Sequence, residues 1–96
     1  MDATIIWDLK DDSEGNVPHL WEHDVTIEEA EEVLLNPQST RAVSRSSGLP
    51  LVFGWTSTGR HLAVVYEVVD DKPLTLRPIT AYDVPPPAPP KKRRKR

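Results

Sequence analysis

His19-Leu20-Trp21-Glu22-His23-Asp24-Val25-Thr26-Ile27-Glu28-Glu29 reads as two consecutive short helices with a sharp corner between them. Asn16 can cap the first helix, over about 16–23, and Pro18 is tolerated in its first turn. Val17, Leu20 and Trp21 then share one face, because residues three and four apart are helical neighbours. His19, Glu22 and His23 fall on the other. Thr26 opens the second helix, over about 27–35, and Glu29 completes a capping box with it. Ile27, Ala30, Val33 and Leu34 form the apolar stripe of that helix. Asn36-Pro37 ends it, since the residue before a proline disfavours the helical region.

Strands surround this helical pair. Ala3 to Asp8 reads as a first strand. Residues 39–45 alternate, with Arg41, Val43 and Arg45 on one side. Leu51, Phe53 and Trp55 share a face of a strand over about 50–56. Ser57-Thr58-Gly59 is a hairpin loop. His61 to Val69 is the strongest strand, rich in β-branched residues. Leu74 to Asp83 completes the set, and Pro78 within it removes a ladder donor, which predicts a bulge or an edge. Short turns between the later strands force antiparallel pairing. The pattern predicts an α+β two-layer sandwich, with two helices packed on one face of a twisted antiparallel sheet. Trp7, Leu20, Val33, Leu34, Phe53, Val64 and Ile79 are the expected core.

The 96 residues suffice for one small domain, placed over residues 1–84. Residues 85–96 read as a disordered proline-rich linker and basic tail. Pro85-Pro86-Pro87-Ala88-Pro89-Pro90 favours an extended polyproline conformation, and the six cations that follow have no apolar residue to bury. Charge is divided the same way. The chain carries 12 basic and 15 acidic residues, net −3, and six of the basic ones are Lys91, Lys92, Arg93, Arg94, Lys95 and Arg96. Residues 1–90 are therefore at −9. An acidic body argues against broad nucleic-acid binding by the folded part, whereas the tail is the candidate nucleic-acid-binding segment. No cysteine is present, which excludes disulfides, thiol catalysis and thiolate metal sites. The mixed, acidic opening does not read as a signal peptide. No apolar run approaches the roughly 20 residues that span a membrane. A cytoplasmic location with no membrane partner is the expectation.

The run Trp7-Asp8, Asn16, Glu22-His23-Asp24-Val25-Thr26-Ile27-Glu28-Glu29-Ala30 and Asn36-Pro37 resembles the start of the BrnT-type toxins. So do Gly59-Arg60-His61-Leu62-Ala63-Val64-Val65-Tyr66 and the closing Arg77-Pro78-Ile79-Thr80-Ala81. These toxins belong to the RelE/ParE-like group of bacterial toxin–antitoxin systems. Over about residues 5–82 the resemblance implies a RelE/ParE-like fold and RNA cleavage that arrests translation. It also implies an antitoxin protein that neutralises the toxin. The chain departs from the family at three places. Leu49-Pro50 stands where a basic residue usually opens the third strand. Tyr82 stands where an arginine usually follows the closing alanine. Pro85 onward replaces a basic C-terminal helix.

Metal-free RNA cleavage needs a base for the 2′-OH, a cation for the developing phosphate charge and an acid for the leaving oxygen. Histidine and arginine suit these tasks. The chain offers His19, His23 and His61 with Arg45, Arg60 and Arg77, while Tyr66 and Tyr82 could orient or stack a base. His23, Arg60, Arg77 and Tyr82 are the candidate catalytic set, and no cofactor is expected. Three of the residues offered also have a plainer reading: His23 facing the helix dipole, Arg60 exposed at a hairpin exit, Tyr66 in the core beside Val64, whereas an arginine in mid-strand, Arg77, is less ordinary. His19-x-x-Glu22-His23 matches the inverted zinc-protease pattern. A third ligand and a substrate cleft have little room in about 84 foldable residues, so no metal site is assigned. Two functions follow. One is a toxin-like ribonuclease. The other is a non-catalytic interaction module that binds a protein partner, or nucleic acid through its basic tail.

Overall fold

The computed structural model describes residues 3–8 and 15–85, apart from the side chain of His19. Its elements are β1 (Thr4–Ile5), α1 (Asn16–Glu22), α2 (Ile27–Leu35), β2 (Thr40–Val43), β3 (Pro50–Trp55), β4 (His61–Asp71) and β5 (Leu74–Asp83). They make one five-stranded sheet in the order β1-β5-β4-β3-β2. Of the disordered linker and tail expected over residues 85–96, all but Pro85 lies outside the described residues.

The expected RelE/ParE-like two-layer sandwich, two helices on an antiparallel sheet, is overturned. The fold is mostly sheet, and the sheet is mixed: β1 runs parallel to β5, pairing Thr4 with Thr75 and Ile5 with Leu76. Only two short helices, of 7 and 9 residues, accompany it. The physical reason is connection length. Tight turns dictate antiparallel pairing only from β2 to β5, whereas β1 reaches the sheet through both helices and is free to pair in parallel. The helices therefore form a crossover between two sheet edges.

The local readings fare better. Thr26 Oγ1 accepts the Glu29 N–H and Glu29 Oε1 accepts the Thr26 N–H, both at 3.1 Å, so the capping box is present. The corner before it is made by Asp24 at φ 59°, and the Val25 N–H returns to the Leu20 carbonyl at 3.0 Å. Pro78 sits on a bulge, because Val65 pairs with Thr80 while Tyr66 pairs with Pro78. Pairing of β5 with β1 covers only Thr75 and Leu76, so Pro78 falls at a bulge against β4 and beyond the β1 pairing, where no ladder donor is required of it.

Leu20, Val25, Ala30, Val33 and Leu34 meet Val52, Leu62, Val64, Tyr66, Leu76 and Ala81 in one buried cluster. Four expected core residues, Leu20, Val33, Leu34 and Val64, are fully buried there. Trp7 is half-buried against the cluster. Phe53 and Ile79 are only half-buried. Trp21 is 57% exposed and does not share the buried face of Val17 and Leu20. The cap is also corrected. Gly15 precedes α1 as its N-cap with no side-chain bond, and Asn16 is employed elsewhere.

Candidate functional site

Strand alternation sorts the sheet into two faces. Val52, Leu62, Val64 and Ala81 point towards α1 and α2. Leu51, Phe53, Trp55, His61, Ala63 and Tyr82 point the other way, as the registers Phe53–Ala63, Trp55–His61 and Ala63–Tyr82 require. On this second face lies a shallow, mainly apolar groove of about 390 Å³, lined by Leu51, Phe53, His61, Ala63, Tyr82 and Val84. The His61 ring sits 4.8 Å from that of Trp55 and meets Phe53 edge-on at 6.0 Å. Trp55 is 50% exposed beside it. None of the groove-lining side chains is a carboxylate.

The two candidate arginines lie at the margins, each tied to acids. Gly59, at φ 89°, closes the β3–β4 hairpin. The Arg60 N–H then donates to Thr56 Oγ1 at 3.0 Å, which sets the arginine at the mouth of β4. Its guanidinium forks onto Asp83, Nε to Oδ1 at 3.2 Å and Nη2 to Oδ2 at 2.7 Å. Nη1 donates to the Asp24 carbonyl at 2.6 Å and to Glu29 Oε1 at 2.9 Å. Four of the five guanidinium donors are thus engaged. The contacts fasten the α1–α2 corner to the end of β5. The Asp83 hydrogen bonds hold the Arg60 pKa above the ordinary value, and the same bonds lower that of Asp83. Burial pushes the Glu29 carboxyl up, but the Thr26 N–H and the Arg60 charge and hydrogen bond bring it below the usual range.

Arg77 Nη2 donates to Asp8 Oδ2 at 2.6 Å and Nη1 to Glu67 Oε2 at 3.3 Å. Asp8 Oδ2 also accepts the Asn16 N–H at 2.9 Å. Hydrogen bonds from Arg77 and Asn16 hold the Asp8 carboxyl low, and the Asp8 bond raises Arg77. Asn16 completes the assembly. Its Oδ1 accepts the Asp8 N–H at 2.9 Å, and its Nδ2 donates to the carbonyls of Ile6 at 3.1 Å and Pro78 at 3.0 Å.

Of the candidate catalytic set, the fold gathers His23, Arg60 and Tyr82 at one end of β5. The His23 and Tyr82 rings lie 5.9 Å apart, tilted by 58°, and Asp83, next to Tyr82, holds Arg60. Arg77 stands five residues earlier on β5, roughly 17 Å along the strand. Tyr66 is buried in the core. Arg45 is exposed in the β2–β3 turn. Lys91, Lys92, Arg93, Arg94, Lys95 and Arg96 lie outside the described residues, and so does the His19 side chain on which the zinc pattern depends. Among the described residues, no three His, Asp or Glu side chains are grouped to hold a metal ion. No described helix is long and apolar enough to cross a membrane.

Sequence reasoning missed Asn16, Asp83 and Asp8 as partners. The one available signal was an asparagine and an aspartate flanking the polar connection before α1. No family model, no curated protein and no solved structure matches the chain.

Proposed function

We infer that the chain is a non-catalytic interaction module that engages its partner from the sheet face left open by the helices. A single observation carries this reading: the two arginines of the candidate catalytic set, Arg60 and Arg77, are already paired with carboxylates within the fold. A guanidinium with two acidic neighbours offers little charge to a transition state, and extracting it would leave those carboxylates unpaired. The open face, by contrast, is apolar, aromatic and free of carboxylates along its groove. The partner classes consistent with it are a protein, such as an antitoxin-like DNA-binding protein, or a nucleic acid held through residues 91–96.

The toxin-like ribonuclease is the second reading, favoured by the approach of His23 to Tyr82 beside Arg60. Induced expression in bacteria, followed by growth and by the integrity of cellular RNA, separates the two. The module leaves both unchanged, and Arg60→Ala and Arg77→Ala lower the thermal midpoint. RNA cleavage that disappears in a folded His23→Ala variant would overturn it.

A further inference from the structure

We propose that the outer edge of β2 is a docking site for an extended acidic segment of a partner protein, added to the sheet as a sixth strand. This site is separate from the groove on the open face.

The first argument is the backbone. β2 ends the sheet and pairs on one side only, with β3. The Ser44 N–H donates to the Leu49 carbonyl at 2.7 Å, so these two residues form a hydrogen-bonded pair. Antiparallel pairs alternate between bonded and non-bonded. Ala42–Leu51 and Thr40–Phe53 are therefore bonded, and Arg41–Val52 and Val43–Pro50 are not. Pro50 fits this phase, because it has no N–H to give. The N–H and C=O groups of Arg41 and Val43 consequently point out from the edge. Among the described residues nothing meets them there. Such a row of groups is what an added strand pairs with.

The second argument is charge. Between Glu32 and Glu67 the sequence holds no Asp or Glu, yet it holds Arg41, Arg45 and Arg60. Arg60 is engaged by Glu29 and Asp83. Among the described residues, Arg41 and Arg45 have no carboxylate at ion-pair distance. The hollow of about 220 Å³ that Arg41 shares with Leu34 and Val52 has no carboxylate in its lining. A body at −9 thus turns a cationic edge outward. Val43, between the two arginines, is 66% exposed. A strand laid on this edge meets a cation, an apolar side chain and a cation at alternate positions. Its complement is acid, apolar, acid at the same spacing, since opposite charges across strands stabilise and like charges destabilise.

The third argument is exclusion of other occupants. A second copy's β2 brings no counter-charge, because Ser39 to Ser47 contains no carboxylate. A nucleic acid would satisfy the arginines but set its phosphates against the outward carbonyls of Arg41 and Val43. Charge on a short edge, here of 4 residues, keeps a sheet from pairing at random. The same charges select an acidic strand.

The probe is a short synthetic peptide in which threonine alternates with glutamate, valine and glutamate. Its twin carries lysine in place of glutamate. NMR of the full chain reads amide shifts and solvent exchange with each. The glutamate peptide should shift the β2 amides and slow exchange of the Arg41 and Val43 N–H groups about tenfold at saturation. The lysine peptide should leave both unchanged. Val43→Pro removes one outward N–H from a pair that makes no ladder bond to β3, so binding is lost while signals elsewhere hold. The double variant Arg41→Glu, Arg45→Glu changes only exposed side chains and decides the matter if the proline variant does not fold. It should reverse the preference to the lysine peptide. Equal response to the two peptides, shifts without slowed exchange at Arg41 and Val43, or no binding at millimolar peptide would each overturn the proposal. So would slowing that rises with protein concentration alone, which would mark a second copy as the occupant. A single-stranded RNA that shifts the β2 amides more strongly than the glutamate peptide would do the same. None of these outcomes involves the groove, so the open-face reading stands or falls separately.

Discussion

Asn16 is 1% exposed and joins three segments through one side chain. Its amide satisfies the Asp8 N–H after β1 and the Ile6 and Pro78 carbonyls, while its own N–H meets the carboxylate that also binds Arg77. The pairing of β1 with β5 ends at Leu76, and the Pro78 carbonyl beyond it is met by this side chain. Asn16→Ala strands at least two of these backbone groups, and each buried orphan costs about 1–3 kcal/mol. We expect a loss of about 3 kcal/mol, measured as a fall in the urea midpoint at constant slope. A midpoint within error of the parent would show that water replaces the amide. The approach of Gly54 to Ser39 is a second single-residue constraint. A Cβ on Gly54 would stand 2.4 Å from Ser39 Oγ, a hydroxyl committed to the Val33 carbonyl at 2.6 Å. Gly54→Ala should cost about 1–3 kcal/mol by overpacking. Calorimetry checks this, and an unchanged melting temperature would mean that the β2 edge simply moves outward.

At the scale of elements, α2 is the most autonomous piece. Its 9 residues carry a capping box, two acids in the first turn and a stripe of Ala30, Val33 and Leu34 that reaches the core. Thr26→Ala removes one half of the box and should destabilise by about 1 kcal/mol. Thr26→Ser should retain nearly all of it. Equal losses in the two variants would shift the explanation from the hydrogen bond to the Thr26 methyl. Glu29 has a double duty here, since it caps α2 and binds Arg60. Glu29→Gln keeps the capping partner while removing the charge, so it should cost less than Glu29→Ala. β1, with two paired residues, stands at the opposite extreme. It holds its place through the Ile6 N–H to the Leu76 carbonyl at 2.9 Å and through the Asp8–Asn16 exchange.

At the scale of the whole molecule, two arginine clusters tie distant ends of the chain together, and both depend on ionised carboxylates. Asp8, Glu29 and Asp83 have pKa values below the unfolded ones. A depressed carboxylate contributes stability that is complete above its unfolded value, near 4, and is lost as pH falls through the folded value. The melting temperature should therefore be level from neutral pH to about 5 and decline below about 4. Asp83 is 60% exposed and weighs less than Asp8 and Glu29, because water screens its pair. The double variant Asp8→Asn, Glu29→Gln should have a lower midpoint at pH 7 and a shallower acid decline. An acid decline as steep as the parent's would place its origin in other carboxylates.

What could be read from residues alone was what depends on neighbours in the chain. The Thr26–Glu29 box, the end at Asn36-Pro37, the hairpin at Gly59 and the alternation of β3 and β4 are written in periods of 3.6 and 2. They emerged where expected. The long-range facts were decided by tertiary structure. Strand alternation places Phe53 opposite Val52, but only the helices' choice of the Val52 face left Phe53 in an open groove rather than in the core. Asp8 and Arg77 are 69 residues apart, and nothing between them signals that one neutralises the other. Arg60 looked available for chemistry because its acids, Glu29 and Asp83, are 31 and 23 residues away. The parallel β1 follows the same rule. Backbone periodicity is set within a few residues, whereas strand direction, counter-ions and the open face are settled when distant segments compete for the same hydrogen bonds and the same buried area.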